Sequence, residues 1–129
     1  MNWIADAEVK TATDLDRERK DSLISQIESQ RKAQEAQGVT INGVRYAGYP
    51  GNRQALAEAL EYASSAGVTT FSGWKDSDDG FHADHPVADV QQAYQATGTR
   101  RSELIAKEGE YVAQVEDGSL TDASNLAWN

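Results

Sequence analysis

Two short stretches hold most of the residues able to do chemistry. "HADH", His82 to His85, contains both histidines of the chain, and on a strand His82 and Asp84 face the same way. A divalent metal held there would need a third ligand from elsewhere in the chain. The competing reading is a polar strand edge beside a turn. "DSDDG", Asp76 to Gly80, sets carboxylates next to a glycine, which suits a hard cation. Its spacing is not the D-x-D-x-D-G of an EF-hand, and no glutamate stands at the twelfth loop position, so Asp79-Gly80 reads better as a hairpin turn.

Other chemistries are poorly provided for. There is no cysteine, which removes disulfides, thiolate nucleophiles and zinc-thiolate sites together. The G-x-S-x-G elbow, H-E-x-x-H, the phosphate loop and G-x-G-x-x-G are missing, and paired carboxylates are uninformative in so acidic a chain. We therefore expect no enzyme activity and assign no catalytic residue, metal or cofactor. The 129 residues carry 21 acidic against 12 basic side chains, a net charge of -9 that would repel a phosphate backbone. Nucleic acid is not an expected partner. The opening "MNWIADAEVK" lacks the basic and apolar regions of a signal peptide. No run suggests a membrane span, so a membrane partner is not expected either.

The elements that must position these residues follow from punctuation and periodicity. Thr13 reads as the N-cap of a helix through "DLDRERKDSLISQIESQRKAQEAQ", stopped by Gly38. Its apolar positions are few: Leu15, Leu23, Ile24 and Ile27. Most helical stability comes from packing, so such a helix should lie against another chain or along a larger body, the alternative being a partly solvated lead-in helix packed on its own domain. Val39-Thr40-Ile41 and Val44-Arg45-Tyr46 flank Asn42-Gly43, the strongest short hairpin signal, because a type I′ turn needs positive φ at both central residues. Pro50-Gly51 marks a turn, with Asn52 as cap for a helix from Arg53 to Ala66.

"VTTFSGWK", the "DSDDG" turn and "FHADH" predict a second hairpin. Pro86 opens a helix of about 30 residues in which Gly98, costing about 1 kcal/mol relative to alanine, predicts a kink or break. A closing helical turn should return Leu120, Leu126 and Trp128 to the body. Arg17-Glu18-Arg19-Lys20 and Arg100-Arg101 are local basic spots. They read as solvated helix faces with i,i+4 pairs, though they could still choose a partner.

The predicted fold class is α+β: two β-hairpins forming a small antiparallel sheet with helices packed on it, plus long N-terminal and C-terminal helices. We divide it into an N-terminal segment and docking helix, residues 1–37, and an α+β domain, residues 38–129. Ile41, Val44, Tyr46, Leu56, Leu60, Phe71, Trp74, Leu104 and Tyr111 are assigned to the core. Trp3, Ile4 and Trp128 lie beside the chain ends, where large apolar groups gain burial only by docking, either on the body or in a neighbouring subunit. Trp3, Ile4, Leu15, Leu23, Ile24, Ile27 and Trp128 are assigned as interaction residues.

"RKAQEAQGVTINGVRY", the spaced "GWKDSDDGF" and "RRSELIAKEGEYVAQVEDG" followed by a terminal tryptophan resemble a small-domain family of tailed bacteriophages. Its members occur in tail fibre, tail fibre assembly and other virion proteins. "AGYPGN" after the first hairpin and "TGT" in the long helix depart from the family pattern. The resemblance covers about residues 25 to 128 and brings no catalytic residues to carry over. It implies a non-enzymatic virion protein, a tail adaptor or fibre-associated subunit that is oligomeric in its assembly. Its implied partners are other tail proteins, a tail fibre or copies of itself, and its implied location is the virion tail, with the host cytoplasm during assembly. A fibre assembly chaperone that leaves the particle is the alternative.

Overall fold

The computed structural model describes residues 10–129. Trp3 and Ile4 lie outside the described residues. The order is α1 (Ala12–Gln37), β1 (Val39–Ile41), β2 (Val44–Tyr46), α2 (Pro50–Ala66), β3 (Thr70–Lys75), β4 (Phe81–Pro86) and α3 (Val87–Glu116). This is the expected α+β class with two long flanking helices. The hairpins do not share a ladder, however: among the described residues β1 pairs only with β2, and β3 only with β4.

The N-cap of α1 is Thr11 rather than Thr13. Thr11 Oγ1 accepts from the Asp14 N–H while Asp14 Oδ2 accepts from the Thr11 N–H, a reciprocal box that starts the helix earlier than the Thr13–Asp16 pair would. At the other end Gly38, at φ 69°, donates to the Glu35 carbonyl, and a Cβ built on it would lie 1.8 Å from the Tyr46 carbonyl oxygen. Only glycine fits where β2 crosses the helix end. Asn42 and Gly43 take φ of 50° and 81°, as the hairpin turn demands. Helix α2 starts at Pro50, earlier than expected, and its N-cap Tyr49 supplies no side-chain hydrogen bond. Asn52 does not cap it, because its amide nitrogen donates backwards to the Ala47 carbonyl at 2.6 Å.

Helix α3 runs unbroken through Gly98, about 45 Å at 1.5 Å per residue. Two apolar clusters form along it. Its first half, with Val90 and Ala93, packs with Tyr46, Leu56, Ala63 and Phe71, flanked by partly buried Ile41, Val44, Leu60 and Trp74. Its second half, with Leu104, Tyr111 and Val115, packs with Leu23 and Ile27 of α1 and with Ala123 and Trp128 of the tail. The core assigned from sequence is thus divided between the two clusters. The tail is irregular rather than helical: Asp117 and Asp122 accept from the Ser119 and Ser124 N–H groups, turning the chain so that Leu120 and Leu126 reach the second cluster.

Helices α1 and α3 are held antiparallel by ion pairs and hydrogen bonds along their length. Arg17 reaches Glu116 at 2.6 Å, Arg31 Nε reaches Glu108 at 2.6 Å, and Arg100 donates to the Gln34 side chain and the Trp128 carbonyl. Helix α1 is therefore laid along α3 as a wall of the second cluster.

Candidate functional site

Most of the expected docking stripe is consumed inside the chain. Ile27 is completely buried, Leu23 and Trp128 are each 8% exposed, and Ile24 is partly buried against the same cluster. The correction has a simple cause. The apolar partners of this sparse stripe lie on α3 and the tail, far along the sequence, so a helix that looks unsupported locally is supported at long range. Trp128 sits edge-on to Tyr111 with ring centroids 5.2 Å apart, and its indole N–H donates to Gln30 Oε1 at 3.0 Å. Of the expected interaction residues within the described chain, Leu15 is the exposed one, at 49%.

The histidines are tied to structure. Asp84 adopts φ 50°, which breaks strand alternation and leaves the Asp84 side chain exposed, so it does not share a ligand face with His82. Instead His82 Nε2 meets Asp76 Oδ2 at 2.7 Å, and Asp76 also accepts from the Gly80 and Asp78 N–H groups. Those bonds, His82's foremost, hold the Asp76 carboxyl down to about 2. His85, buried, shares a hydrogen bond of 2.5 Å with the Tyr46 hydroxyl and stacks on Trp74 with centroids 5.4 Å apart. Burial pushes the His85 imidazole below its ordinary value and the Tyr46 phenol up to about 12. Both are neutral near pH 7, and they lock hairpin to hairpin where no ladder does. Among the described residues no group of three or more His, Cys, Asp and Glu is placed to hold a metal ion.

A different constellation lies between α2 and α3. Pro50, Arg53, Gln54, Ala57, Tyr94 and Arg101 line a cleft of about 300 Å³. The Arg53 guanidinium lies over the Tyr94 ring, 5.4 Å from its centroid, and Arg53 Nε is buried with no hydrogen-bond partner among the described residues. Gly98 eases this placement, since a Cβ there would stand 3.0 Å from Arg53 Nη2. The expected helix break is in fact the space into which an arginine from the neighbouring helix fits.

Behind Arg101 stands Glu35, 3% exposed, which also pairs with Arg31. Arg101 Nε is 2.5 Å from Glu35 Oε1, yet neither atom has an aligned hydrogen-bond partner; the two meet as charges, not as a directed bond. Arg100 and Arg101 therefore cross to α1 and the tail rather than forming a solvated i,i+4 face. Around Arg17 the expected solvated pairing does occur, with Asp21 at 2.9 Å and Lys20–Asp16 at 3.2 Å.

Residues 18–127 match the family model described as "Domain of unknown function (DUF4376)". The chain belongs to this family. The DUF4376 match takes in most of α1 together with both hairpins, α2, α3 and the tail as far as Ala127, so the arginine cleft falls within the family unit, while Arg17 and Trp128 of the α1–α3 seam lie just outside it. No curated protein and no solved structure matches the chain.

Sequence reasoning passed over Arg53, Tyr94 and Glu35 and noted Arg101 only as a basic spot. The available signal was Gly98: a glycine in the middle of a long amphipathic helix has either a bend or a close neighbour to explain it.

Proposed function

We propose that this chain is a non-enzymatic virion structural protein of a tailed phage, a tail adaptor or tail-fibre-associated subunit that works through protein-protein contacts. The observation that carries the reading is the composition of the α2–α3 cleft: its lining holds two guanidiniums, an amide and a phenol, and none of those lining residues is a carboxylate or imidazole able to move a proton. A lining of that kind favours binding through charge and hydrogen bonds. The structural use of both histidines supports the same view, since each is committed to holding a hairpin in place. The sequence resemblance to tail proteins supplies the phage setting. Leu15, exposed at the start of α1, adds an apolar contact at the far end of the molecule.

Mass spectrometry of purified particles from a phage encoding the chain tests the reading. A stoichiometric amount in the mature virion is expected, and its absence overturns the assignment. Should the chain be absent while a tail fibre folds only in its presence, the assembly-chaperone role replaces it.

A further inference from the structure

We propose that the cleft between Arg53 and Arg101 is a carboxylate-binding site, filled by an aspartate, glutamate or chain-terminal carboxylate of a partner protein. This rests on the reading of the chain as a protein-binding subunit and names the chemistry of its contact.

Arg53 is poorly satisfied where it stands. It occupies the first turn of α2, where the exposed N–H groups and the helix dipole favour an anion over a cation. The N-cap Tyr49 supplies no side-chain acceptor, and Arg53 Nε is buried without a partner among the described residues. Arg53 makes no ion pair with any carboxylate among the described residues; Glu58, one turn on, instead accepts from Gln54 at 3.2 Å. An unpaired guanidinium at a helix N-terminus, in a chain of net charge -9, is a placement that an incoming anion would relieve.

The local charge count fixes the kind of anion. Arg31 and Arg101 are balanced by Glu35 and Glu108, leaving Arg53 as one surplus positive charge. A carboxylate brings a single negative charge and matches it. A phosphomonoester brings about -1.5 to -2 and would leave an excess next to Glu35. Arg101 also lines the cleft, with its side chain 39% exposed. The cleft has about 300 Å³ and opens to solvent, so a free small acid would bury little in it, whereas a side chain delivered from a protein surface arrives with its surroundings.

The test follows the side-chain Nε–Hε signals of the arginines by NMR. The probes are sodium acetate, a terminally blocked Gly-Gly-Asp-Gly-Gly peptide and inorganic phosphate, each added at constant ionic strength. Saturable shifts of Arg53 and Arg101 are expected with acetate and with the peptide, the peptide binding at least as tightly, while exposed Arg19 responds weakly and linearly. Arg53→Gln should abolish the saturable shift at Arg101. Gly98→Ala, which displaces the Arg53 guanidinium without unfolding α3, should weaken binding several-fold.

Shifts at Arg53 that do not saturate, or that merely parallel those of Arg19, overturn the site. Saturation by phosphate but not acetate overturns the carboxylate assignment, and saturation by acetate but not the peptide overturns the protein partner. Presence of the chain in virions with a silent cleft refutes this inference alone, whereas binding by a chain absent from virions refutes only the virion assignment.

Discussion

Replacing Gly98 with alanine separates the helix from the cleft it accommodates. Gly98 lies inside the continuous α3, in a backbone conformation open to any residue. Alanine there should stabilise the helix by about 1 kcal/mol. Against this, the new Cβ would stand 3.0 Å from Arg53 Nη2 and 3.8 Å from its Cζ. Only the tip of a flexible side chain has to yield, and a modest torsional departure costs about 0.5 kcal/mol. The net gain is about 0.5 kcal/mol, which for a chain of 129 residues raises Tm by about 2 °C.

Thermal melts by circular dichroism at 222 nm, or by calorimetry, would measure it. Adding Arg53→Gln to the alanine variant should release the remaining steric cost, so the two substitutions should be non-additive in that direction. A lower Tm for Gly98→Ala alone would refute the reasoning, because it would mean either that Arg53 cannot move or that α3 needs glycine at this position for its backbone.

Three further outcomes follow from the packing and the titrating groups. Ile27→Ala should cost about 2 to 5 kcal/mol by urea denaturation, since Ile27 is fully enclosed between α1, α3 and the tail. Ile27→Asp should abolish the fold rather than selectively weaken assembly. Tyr46→Phe removes the hydroxyl bonded to buried His85, a loss of about 1 to 3 kcal/mol that a chemical melt would register. Because the Asp76 carboxyl is held at about 2, below its ordinary 3.8, its stabilising effect is complete above 3.8 and disappears as pH falls through 2. Acid titration of stability should therefore be less steep for Asp76→Asn across that window, and an unchanged slope would show that the carboxylate does not matter.

What was legible in the sequence was what short-range sterics dictate. Asn42-Gly43 announced its hairpin because few other pairs tolerate positive φ twice, and Gly38 and Gly67 closed their helices for the same reason. The caps were harder to place. Thr11 and Thr13 are equally good cap residues by type, and only the reciprocal bond with Asp14 separates them. The stripe Leu23, Ile24 and Ile27 looked unsupported because its partners Leu104, Tyr111, Val115 and Trp128 are remote along the chain, and a lone helix pattern does not say whether its cover is internal or foreign. The cleft was hidden for a related reason: Arg53 and Arg101 lie on different helices, and the tip of Arg53 rests against α3 at Gly98, where there is no Cβ.

The Trp128 to Gln30 contact closes 98 residues of sequence, and during synthesis that separation becomes a delay. At about 5 to 20 residues per second, α1 leaves the ribosome some 5 to 20 s before the indole that covers it exists. Through that interval its apolar side chains are open to any other protein. The abundance of charge around Leu23 and Ile27 then acts as protection for a nascent chain, keeping an unfinished seam soluble until its last strip arrives.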